Sequence, residues 1–313
     1  MLQLFSKIQA FLQEAKDLQK SPLIALAGPT ASGKTALSIE IAKAFKGEII
    51  SADSRQIYKQ MDIGTAKITP AEQQGIPHYL LDVVDPSEEF SLADYKRLAM
   101  KIIQEILRRK HVPIVCGGTG LYLNTILENY QIPQVPPQYD LRQKFAQYYE
   151  EHGPLALHKL LQERDPEAAA RIHPHNVRYV IRALEINIAG NQKKQDQKGE
   201  PLFHTFTIGI DWPRELLYER INHRLDEQLE KGLLNEVKTL LMRGYNEKLP
   251  SMSSLGYLEL IAYLKGECSL EEAAENIKKN TRNYAKRQLT WFRRYKDMYW
   301  INGPELEKYL QQK

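Results

Sequence analysis

Residues 23–35, LIALAGPTASGKT, decide the fold of this chain. The first five are apolar, and the last eight, here called the phosphate loop, match the pattern of Gly, any four residues, Gly-Lys and Ser or Thr. Apolar residues then recur at helical spacing through Leu37, Ile41, Ala44 and Phe45. When a strand is followed by a glycine-rich turn and a helix, the backbone N–H groups of the turn and the positive end of the helix point toward the same space. The stretch therefore predicts an anion site.

The phosphate loop contains the groups that a phosphate ligand needs. Lys34 can reach along bound phosphates, and the hydroxyl of Thr35 can ligate Mg²⁺. A glycine turn without a ligand is the alternative, but the motif is complete and stands between a predicted strand and a predicted helix. The residues expected to bind phosphate are Gly28, Pro29, Thr30, Ala31, Ser32, Gly33, Lys34 and Thr35.

Length and composition are those of an ordinary globular protein. The chain has 313 residues, of which 42% are hydrophobic and 26% are charged. The net charge of +4 is small, so a site for a polyanion requires local clusters of Lys and Arg. The two cysteines, Cys116 and Cys268, lie far apart, which favours a reducing, cytoplasmic location. No apolar run approaches the length of a membrane span, so no membrane partner is expected.

Strand and helix patterns alternate after the phosphate loop. Residues 47–53 form a second predicted strand that ends at Asp53, residues 91–110 a helix, and residues 112–116 a strand that runs into the glycine-rich turn 117–120. The alternation predicts an α/β fold of the P-loop NTPase-like type, with a doubly wound parallel sheet. Asp53 and the turn 117–120 are then expected at the same carboxyl edge as the phosphate loop, where such sheets bind ligands.

The pattern changes between residues 131 and 200. A proline-rich connector leads into amphipathic helices without an evident strand, which predicts an all-helical insertion domain over 131–200. Its polar end, residues 190–199, is expected to be a mobile loop. The catalytic core then comprises residues 23–130 and 201–313, and residues 1–22 form an N-terminal helical extension.

Helices dominate the expected structure beyond the insertion. The predicted elements are a strand at 202–210, helices at 213–243, 255–264 and 270–295, and a last strand at 298–301.

The helix predicted for 270–295 carries basic and aromatic residues along its second half. A run of this kind is usually a solvated face, but interleaved cations and rings are also what a bound nucleic-acid strand requires. Composition favours neither interpretation. The series is Lys278, Lys279, Arg282, Tyr284, Lys286, Arg287, Trp291, Phe292, Arg293, Arg294, Tyr295 and Lys296.

A phosphate loop most often serves a kinase or an NTPase. These enzymes need an acidic residue that organises Mg²⁺ at the end of a neighbouring strand. The strand at 112–116 ends in glycines and lacks that carboxylate, but Asp53 and Asp82 could organise a metal ion. A small-molecule kinase therefore stays open at this point.

Five blocks, residues 28–35, 53–67, 117–122, 178–186 and 281–291, resemble the bacterial tRNA dimethylallyltransferases. The blocks occur in the order of that family and extend over nearly the whole chain. Two are specific, because the DSRQIY run at 53–58 and the AKRQLTW run at 285–291 have no known counterpart in phosphate-loop kinases.

The resemblance implies that a dimethylallyl group passes from dimethylallyl diphosphate to N6 of the adenine at tRNA position 37, next to the anticodon. The phosphate loop and Mg²⁺ would hold the diphosphate leaving group. Asp53 matches the general base of the family, Thr119 matches a residue beside the target base, and Arg224, with Arg220 one turn earlier, matches an arginine near the diphosphate. The implied catalytic residues are Asp53, Lys34, Thr35 and Arg224. A prenyltransferase that uses a free adenine nucleotide and a non-enzymatic RNA-binding module are the alternatives.

The implied macromolecular partner is the anticodon stem-loop of tRNA, bound by the insertion and the last long helix of a monomer. The base must leave its stack to be modified. Tyr179 and Leu258 stand where the family commonly has Arg and Lys, so those two contacts are not expected. The residues implied to contact tRNA are Asp53, Ser54, Arg55, Gln56, Thr119, Arg142, Arg178, Arg182, Arg282, Lys286 and Arg287.

Overall fold

The computed structural model describes residues 1–133, 135, 137–190 and 198–312. Most of the loop predicted at 190–199 lies outside these ranges. The elements are α1 (Leu2–Asp17), β1 (Pro22–Ala27), α2 (Lys34–Phe45), β2 (Gly47–Ser51), β3 (His78–Tyr79), α3 (Leu92–Arg108), β4 (Val112–Gly117), α4 (Gly120–Leu127), α5 (Tyr139–Arg164), α6 (Pro166–Arg171), α7 (Val177–Ile188), β5 (His204–Asp211), α8 (Arg214–Glu230), α9 (Leu233–Met242), α10 (Tyr257–Leu264), α11 (Leu270–Phe292), β6 (Tyr299–Asn302) and α12 (Gly303–Gln311).

The chain forms two compact units, one of residues 1–127 and 201–313 and one of residues 128–200. The larger unit contains a six-stranded sheet in the order β3-β2-β4-β1-β5-β6, and every neighbouring pair is parallel. The predicted α/β fold with a doubly wound parallel sheet is confirmed. Because β2, β4 and β1 are consecutive and parallel in the sheet, the segments that follow them meet at one carboxyl edge.

Strand β1 is buried on both faces, as expected for a parallel sheet covered by helices. Its residues alternate between two cores: Ile24 and Leu26 pack with α1 and α2, and Leu23 packs with α3 and α4. The N-terminal extension is the helix α1, whose apolar face enters the first of these cores. Every helix in the described part of the chain is too short or too polar to span a bilayer.

Three elements differ from the sequence-based expectation. The helix predicted for 213–243 is two helices, because Gly232 has a φ of 98°, a left-handed conformation that ends one helix and begins the next. Strand β3 has only two residues, too few to produce a periodic pattern. Helix α12 follows β6 directly, and its N-cap Asn302 accepts a hydrogen bond from the backbone N–H of Glu305.

A buried carboxylate explains how β3 and the end of α3 are attached to β2. Glu48 accepts hydrogen bonds from the Tyr79 hydroxyl at 2.6 Å and from Arg109 Nη2 at 2.8 Å, and His111 Nδ1 lies 2.6 Å away. Burial by itself raises the pKa of Glu48, but the hydrogen bonds from Arg109, Tyr79 and His111 outweigh it and hold the pKa at about 2.

The low pKa of Glu48 predicts a specific acid sensitivity. Since folding lowers this pKa from 4.5, the stabilisation is complete above that pH and is lost as the pH falls toward 2. We expect Glu48→Gln to reduce the free energy of unfolding at pH 7 by at most about 3 kcal/mol. The acid-dependent loss of stability should also become shallower, as measured by urea unfolding from pH 7 to pH 3. The exposed Glu230→Gln is the control, and an acid profile identical in both variants would contradict the prediction.

Candidate active site

Three loops from separate parts of the chain meet at the carboxyl edge of the sheet. The phosphate loop follows β1, Asp53 follows β2, and the turn 117–120 follows β4. The Thr119 N–H donates to the Ala52 carbonyl at 3.1 Å, and the Thr119 hydroxyl accepts the Ser54 N–H at 3.1 Å. A Cβ at Gly117 would lie 2.1 Å from the carbonyl oxygen of Ala52, so only glycine permits this approach.

The side chain of Gln288 on α11 connects the phosphate loop to the turn 117–120. Its Oε1 accepts the Thr30 N–H at 2.9 Å, and its Nε2 donates to the Gly118 carbonyl at 2.9 Å. Gln288 is buried, and a Cβ at Gly118 would lie 2.2 Å from its Nε2. One amide therefore sets the separation of the two glycine-rich loops.

A cavity of about 370 Å³ lies against these loops. Among the described residues that line it, Asp53 contributes the only carboxylate, and Arg55 N–H donates to Asp53 Oδ1 at 2.9 Å and fixes its orientation. The polar and charged lining comprises Thr30, Lys34, Thr35, Asp53, Ser54, Arg55, Gln56, Thr65, Arg224, Gln228, Ser253, Ser254, Thr281, Tyr284, Arg287 and Gln288.

Two cations approach the carboxylate inside this cavity. Desolvation lowers the pKa of Lys34 and that of Arg224, and the negative charge of Asp53 acts on both in the opposite direction. Lys34 Nζ donates to the Pro29 carbonyl at 3.2 Å, and Arg224 Nη1 lies 3.5 Å from the Thr30 hydroxyl. Two partly desolvated cations beside one carboxylate leave an excess of positive charge that suits a multivalent anion.

Two further titratable groups at the cavity stay neutral. Burial raises the pKa of the Cys116 thiol to about 11 and the pKa of the Tyr284 phenol to about 12. The phenol also hydrogen-bonds Thr119. Neither group is ionised at physiological pH, so Asp53 is the group that can accept a proton here.

A larger open cleft of about 1350 Å³ adjoins the outer side of the phosphate loop. Lys34, Thr35, Ala66, Arg224 and Gln228 line both the cleft and the cavity. The Thr35 hydroxyl can therefore contact a ligand that extends between them. One hydroxyl beside a phosphate site fits Mg²⁺, which keeps several waters and takes further ligands from substrate phosphates.

Residues 62–66 form a wall between the cleft and the cavity. Glu236 on α9 holds this wall, because its carboxylate accepts the backbone N–H groups of Asp62, Ile63 and Gly64 at 2.9, 2.8 and 3.1 Å. It also accepts the Tyr257 hydroxyl at 2.7 Å. These hydrogen bonds thus fix residues 62–64, which have no regular secondary structure, against helix α9.

The other residues of the block 53–67 have structural contacts. Arg55 donates to the Pro250 carbonyl and to Ser253 Oγ. Gln56 Nε2 donates to the carbonyls of Thr65 and Ala66, both at 3.2 Å. Ser54 stays at the cavity with Asp53 and is held by Thr119.

Helix α11 divides its basic and aromatic series between two environments. Lys286 and Arg287 are exposed, whereas Arg282 Nη1 donates to Asn222 Oδ1 at 2.9 Å. Phe292 is fully buried, and Trp291 Nε1 donates to Asn124 Oδ1 at 3.1 Å. These two rings pack against the protein interior, so they do not form a surface on which the bases of a nucleic acid could stack.

The smaller unit places its three predicted arginines differently. Arg142 Nε donates to the buried Glu185 carboxylate at 3.0 Å, and Arg182 pairs with the same carboxylate. Arg182 also donates to the Val135 carbonyl at 2.8 Å. Arg178 is exposed on α7. Of the three, Arg178 alone has no part in the Glu185 ion-pair cluster among the described contacts.

Sequence reasoning gave no role to several residues at the site. Gln288 could have been found, because it is the neutral residue of a basic run and lies one turn after Tyr284 on the same face as Thr281. Gln228 and the wall residue Glu236 belong to no motif, and their role depends on the packing of α8 and α9.

The fold and this site define a phosphate-loop α/β protein in which the phosphate loop adjoins a cavity that contains two desolvated cations and one carboxylate among its described lining residues. The IPP transferase family matches residues 56–295. A tRNA dimethylallyltransferase of Acetivibrio thermocellus is 50% identical over 91% of this chain and 93% of its own, and one of Bacillus pumilus is 48% identical over 90% of each chain. The chain belongs to the tRNA dimethylallyltransferase family.

Solved structures agree with the sequence comparison. The tRNA isopentenylpyrophosphate transferase of Bacillus halodurans is 44% identical, with a TM-score of 0.69 over 91% of this chain and 90% of its own. A eukaryotic dimethylallyltransferase acting on tRNA is 30% identical, with a TM-score of 0.75 over 92% of this chain and 75% of its own.

The two hydrogen bonds of Gln288 predict that replacing this residue lowers the free energy of unfolding more than replacing an exposed glutamine does. Gln288→Met keeps the side-chain volume but leaves the Thr30 N–H and the Gly118 carbonyl without their partner. We expect the free energy of unfolding to fall by about 1–3 kcal/mol in urea unfolding. Gln13→Met on the exposed face of α1 is the matched control, and equal effects of the two substitutions would contradict the role of these hydrogen bonds.

Proposed function

We propose that this protein transfers a dimethylallyl group from dimethylallyl diphosphate to N6 of the adenine at tRNA position 37. The observation that supports this best is the cavity joined to the phosphate loop, where Lys34 and Arg224 offer positive charge and Asp53 offers the only carboxylate among the described lining residues. A prenyl transfer to an amine needs both, an anion site for the leaving group and a base for the proton.

The reaction forms the bond between N6 and C1 of the allylic chain and breaks the bond between C1 and the diphosphate oxygen. The diphosphate leaves with the electron pair. Lys34, Arg224 and the loop amides stabilise the negative charge that develops on that oxygen. An adenine amine is a weak nucleophile, and the Asp53 carboxylate accepts its proton as the new bond forms. Mg²⁺, held by Thr35 and phosphate oxygens, would supply further charge neutralisation.

The acceptor adenine is expected to bind beside Tyr284, which lines the cavity and hydrogen-bonds Thr119. Because N6 of a stacked adenine is not accessible to a carboxylate inside a cavity, the base must first leave its stack. Thr119 accepts a hydrogen bond from the backbone N–H of Ser54, the residue after Asp53. The hydrogen bond between Ser54 and Thr119 therefore helps to position the acceptor adenine relative to the Asp53 carboxylate. The neutral Tyr284 phenol hydrogen-bonds Thr119 without competing for the proton.

Mass spectrometry of tRNA nucleosides tests the proposal. The protein is incubated with unmodified tRNA, dimethylallyl diphosphate and Mg²⁺, and the product is digested to nucleosides. The proposal requires N6-(dimethylallyl)adenosine from tRNA. Product from free adenine nucleotide but not from tRNA would favour the nucleotide prenyltransferase, and phosphoryl transfer from ATP would favour the kinase.

The base assignment predicts a loss of turnover. Asp53→Asn keeps the size and the acceptor oxygen that faces the Arg55 N–H but cannot take a proton. Turnover should fall by a factor of about 10² to 10⁴, with tRNA affinity largely unchanged. Asp211→Asn, at the carboxyl end of β5 and outside the cavity lining, is the matched control. Near-normal turnover of Asp53→Asn would remove Asp53 from the mechanism.

The exposed cations of α11 predict a salt effect on tRNA binding. If Lys286 and Arg287 contact phosphates, replacing both by Ala should weaken binding. The plot of log affinity against log salt should also become shallower by about 1.4 to 1.8 units, since each contact releases close to one counterion. Fluorescence anisotropy from low to moderate salt measures this slope.

The control removes two positive charges near the amino edge of the sheet, opposite the phosphate loop. Lys16 and Lys20 are exposed just before β1, whereas the phosphate loop follows its other end. Their double replacement by Ala should leave the slope unchanged. If the Lys286 and Arg287 variant behaves in the same way, the α11 face is solvated and does not bind tRNA.

A further inference from the structure

Two side chains hold carbonyls of the phosphate loop, and one of them, Arg220, also lines the open cleft. Trp212, in the segment between β5 and α8, is buried, and its Nε1 donates to the Ser32 carbonyl at 3.1 Å. Arg220, on α8, donates through Nε to the Ala31 carbonyl at 2.8 Å. Both donors bind carbonyls of consecutive residues in the middle of the loop.

These contacts fix the direction of loop amides as well as carbonyls. A peptide group is planar and trans, so its N–H points opposite to its C=O. The Ser32 carbonyl belongs to the same peptide group as the Gly33 N–H. When the indole of Trp212 holds that carbonyl, the Gly33 N–H points away from the buried indole. Gly33 lines the cleft beside the phosphate loop, where an anion can accept this hydrogen bond.

The loop needs such support because its backbone is unusual. Ala31 has a φ of 61°, a left-handed conformation that costs energy for a residue with a side chain, and Gly33 has a φ of 88°. Such a conformation persists when surrounding contacts over-determine it. The carbonyls of Ala31 and Ser32 lie between these two left-handed torsions, and each accepts a hydrogen bond from a side chain outside the loop.

Helix α12 keeps the two donors in place. The Arg220 guanidinium forms an ion pair with Glu307 on α12 and lies 4.4 Å from the centre of the Trp212 ring. A Cβ at Gly303, the first residue of α12, would lie 2.2 Å from the Trp212 ring, so the helix start is in close contact with the indole. Leu306 packs toward Gly33, with 3.6 Å between its Cδ2 and a Cβ built on that glycine.

We propose that Trp212 and Arg220 are positioning residues for diphosphate binding. Trp212 holds the Ser32 carbonyl so that the Gly33 N–H faces the ligand. Arg220 holds the Ala31 carbonyl, whose peptide group carries the Ser32 N–H that donates to the Pro29 carbonyl at 3.3 Å, and so fixes the shape of the loop. The inference rests on the proposed function, since it names what organises the anion site of that reaction. It also gives Arg220 a different task from Arg224: both line the cleft, but only Arg224 also lines the cavity that contains Asp53. Helix α12 completes this support although it lies outside the residues that match the family.

Binding of inorganic pyrophosphate in the presence of Mg²⁺, measured by isothermal titration calorimetry, tests the proposal. Trp212→Phe keeps an aromatic ring against Arg220 and Gly303 but lacks the N–H donor. We expect the Kd for pyrophosphate to rise about three- to tenfold, the loss of one hydrogen bond. The KM for dimethylallyl diphosphate should rise by a similar factor, and the KM for tRNA should not change. Arg220→Lys should give the same pattern, since one ammonium cannot replace the guanidinium in all of its contacts.

Matched substitutions separate positioning from packing. Trp300→Phe on β6 and Arg214→Lys at the start of α8 change the same residue types away from the phosphate loop and should leave pyrophosphate affinity unchanged. The thermal midpoint without ligand is measured for every variant. A Trp212→Phe protein with a lowered midpoint but the parental pyrophosphate affinity would overturn the proposal, because the indole would then serve packing alone.

The same measurements distinguish this inference from the proposed function. If the parent binds pyrophosphate, Trp212→Phe binds it more weakly and no prenylated tRNA is formed, the positioning role stands and the proposed reaction does not. If the parent makes N6-(dimethylallyl)adenosine and Trp212→Phe shows an unchanged Kd and KM, the reaction stands and the positioning role is overturned.

Discussion

The hydrogen bonds of one buried amide determine the geometry of the site. Gln288 joins the Thr30 N–H of the phosphate loop to the Gly118 carbonyl of the turn after β4, and there is no space for a side chain at position 118. The proposed base follows β2 and the proposed anion site follows β1, with β4 between them, so their separation depends in part on this contact between the loops after β1 and β4. Parallel strands bring the loops together, and the amide of Gln288 sets the distance between them.

Burial of the cavity side chains, more than the number of charged residues, determines which of them carry charge and how well they are solvated. Lys34 and Arg224 lose hydration inside the cavity, which destabilises their charged forms until an anion replaces the lost water. The neighbouring thiol and phenol stay neutral for the same reason, because burial raises their pKa values. One environment thus supports the proposed anion site and leaves Asp53 as the proposed proton acceptor, the only carboxylate among the described lining residues. The mildly basic net charge of the whole chain would not have revealed this.

The parts of the fold and site that follow from local chemistry could be predicted from the sequence. The phosphate loop is a contiguous motif, and Asp53 and the turn 117–120 each end a recognisable strand, so their meeting at one edge follows from parallel topology. The contacts of Trp212 and Glu236 could not be predicted in this way, and for Gln288 the basic run marks the residue but not its two partners. Each connects elements far apart in the chain, and their geometry depends on how helices α8, α9 and α11 pack. The glycines at 117 and 118 were expected for turn geometry, but close approach of Ala52 and Gln288 explains them.

The strand order has a consequence for how the protein is made. The ribosome synthesises β1 first among the strands, yet β1 occupies an inner position between β4 and β5. Strand β5 leaves the ribosome only after the whole of the smaller unit, so one edge of an apolar strand stays unpaired while residues 128–200 are translated. Pairings so distant in sequence form slowly and leave edges that can aggregate. The nascent chain therefore passes through a stage in which its smaller unit can fold before the sheet that carries the active site is complete.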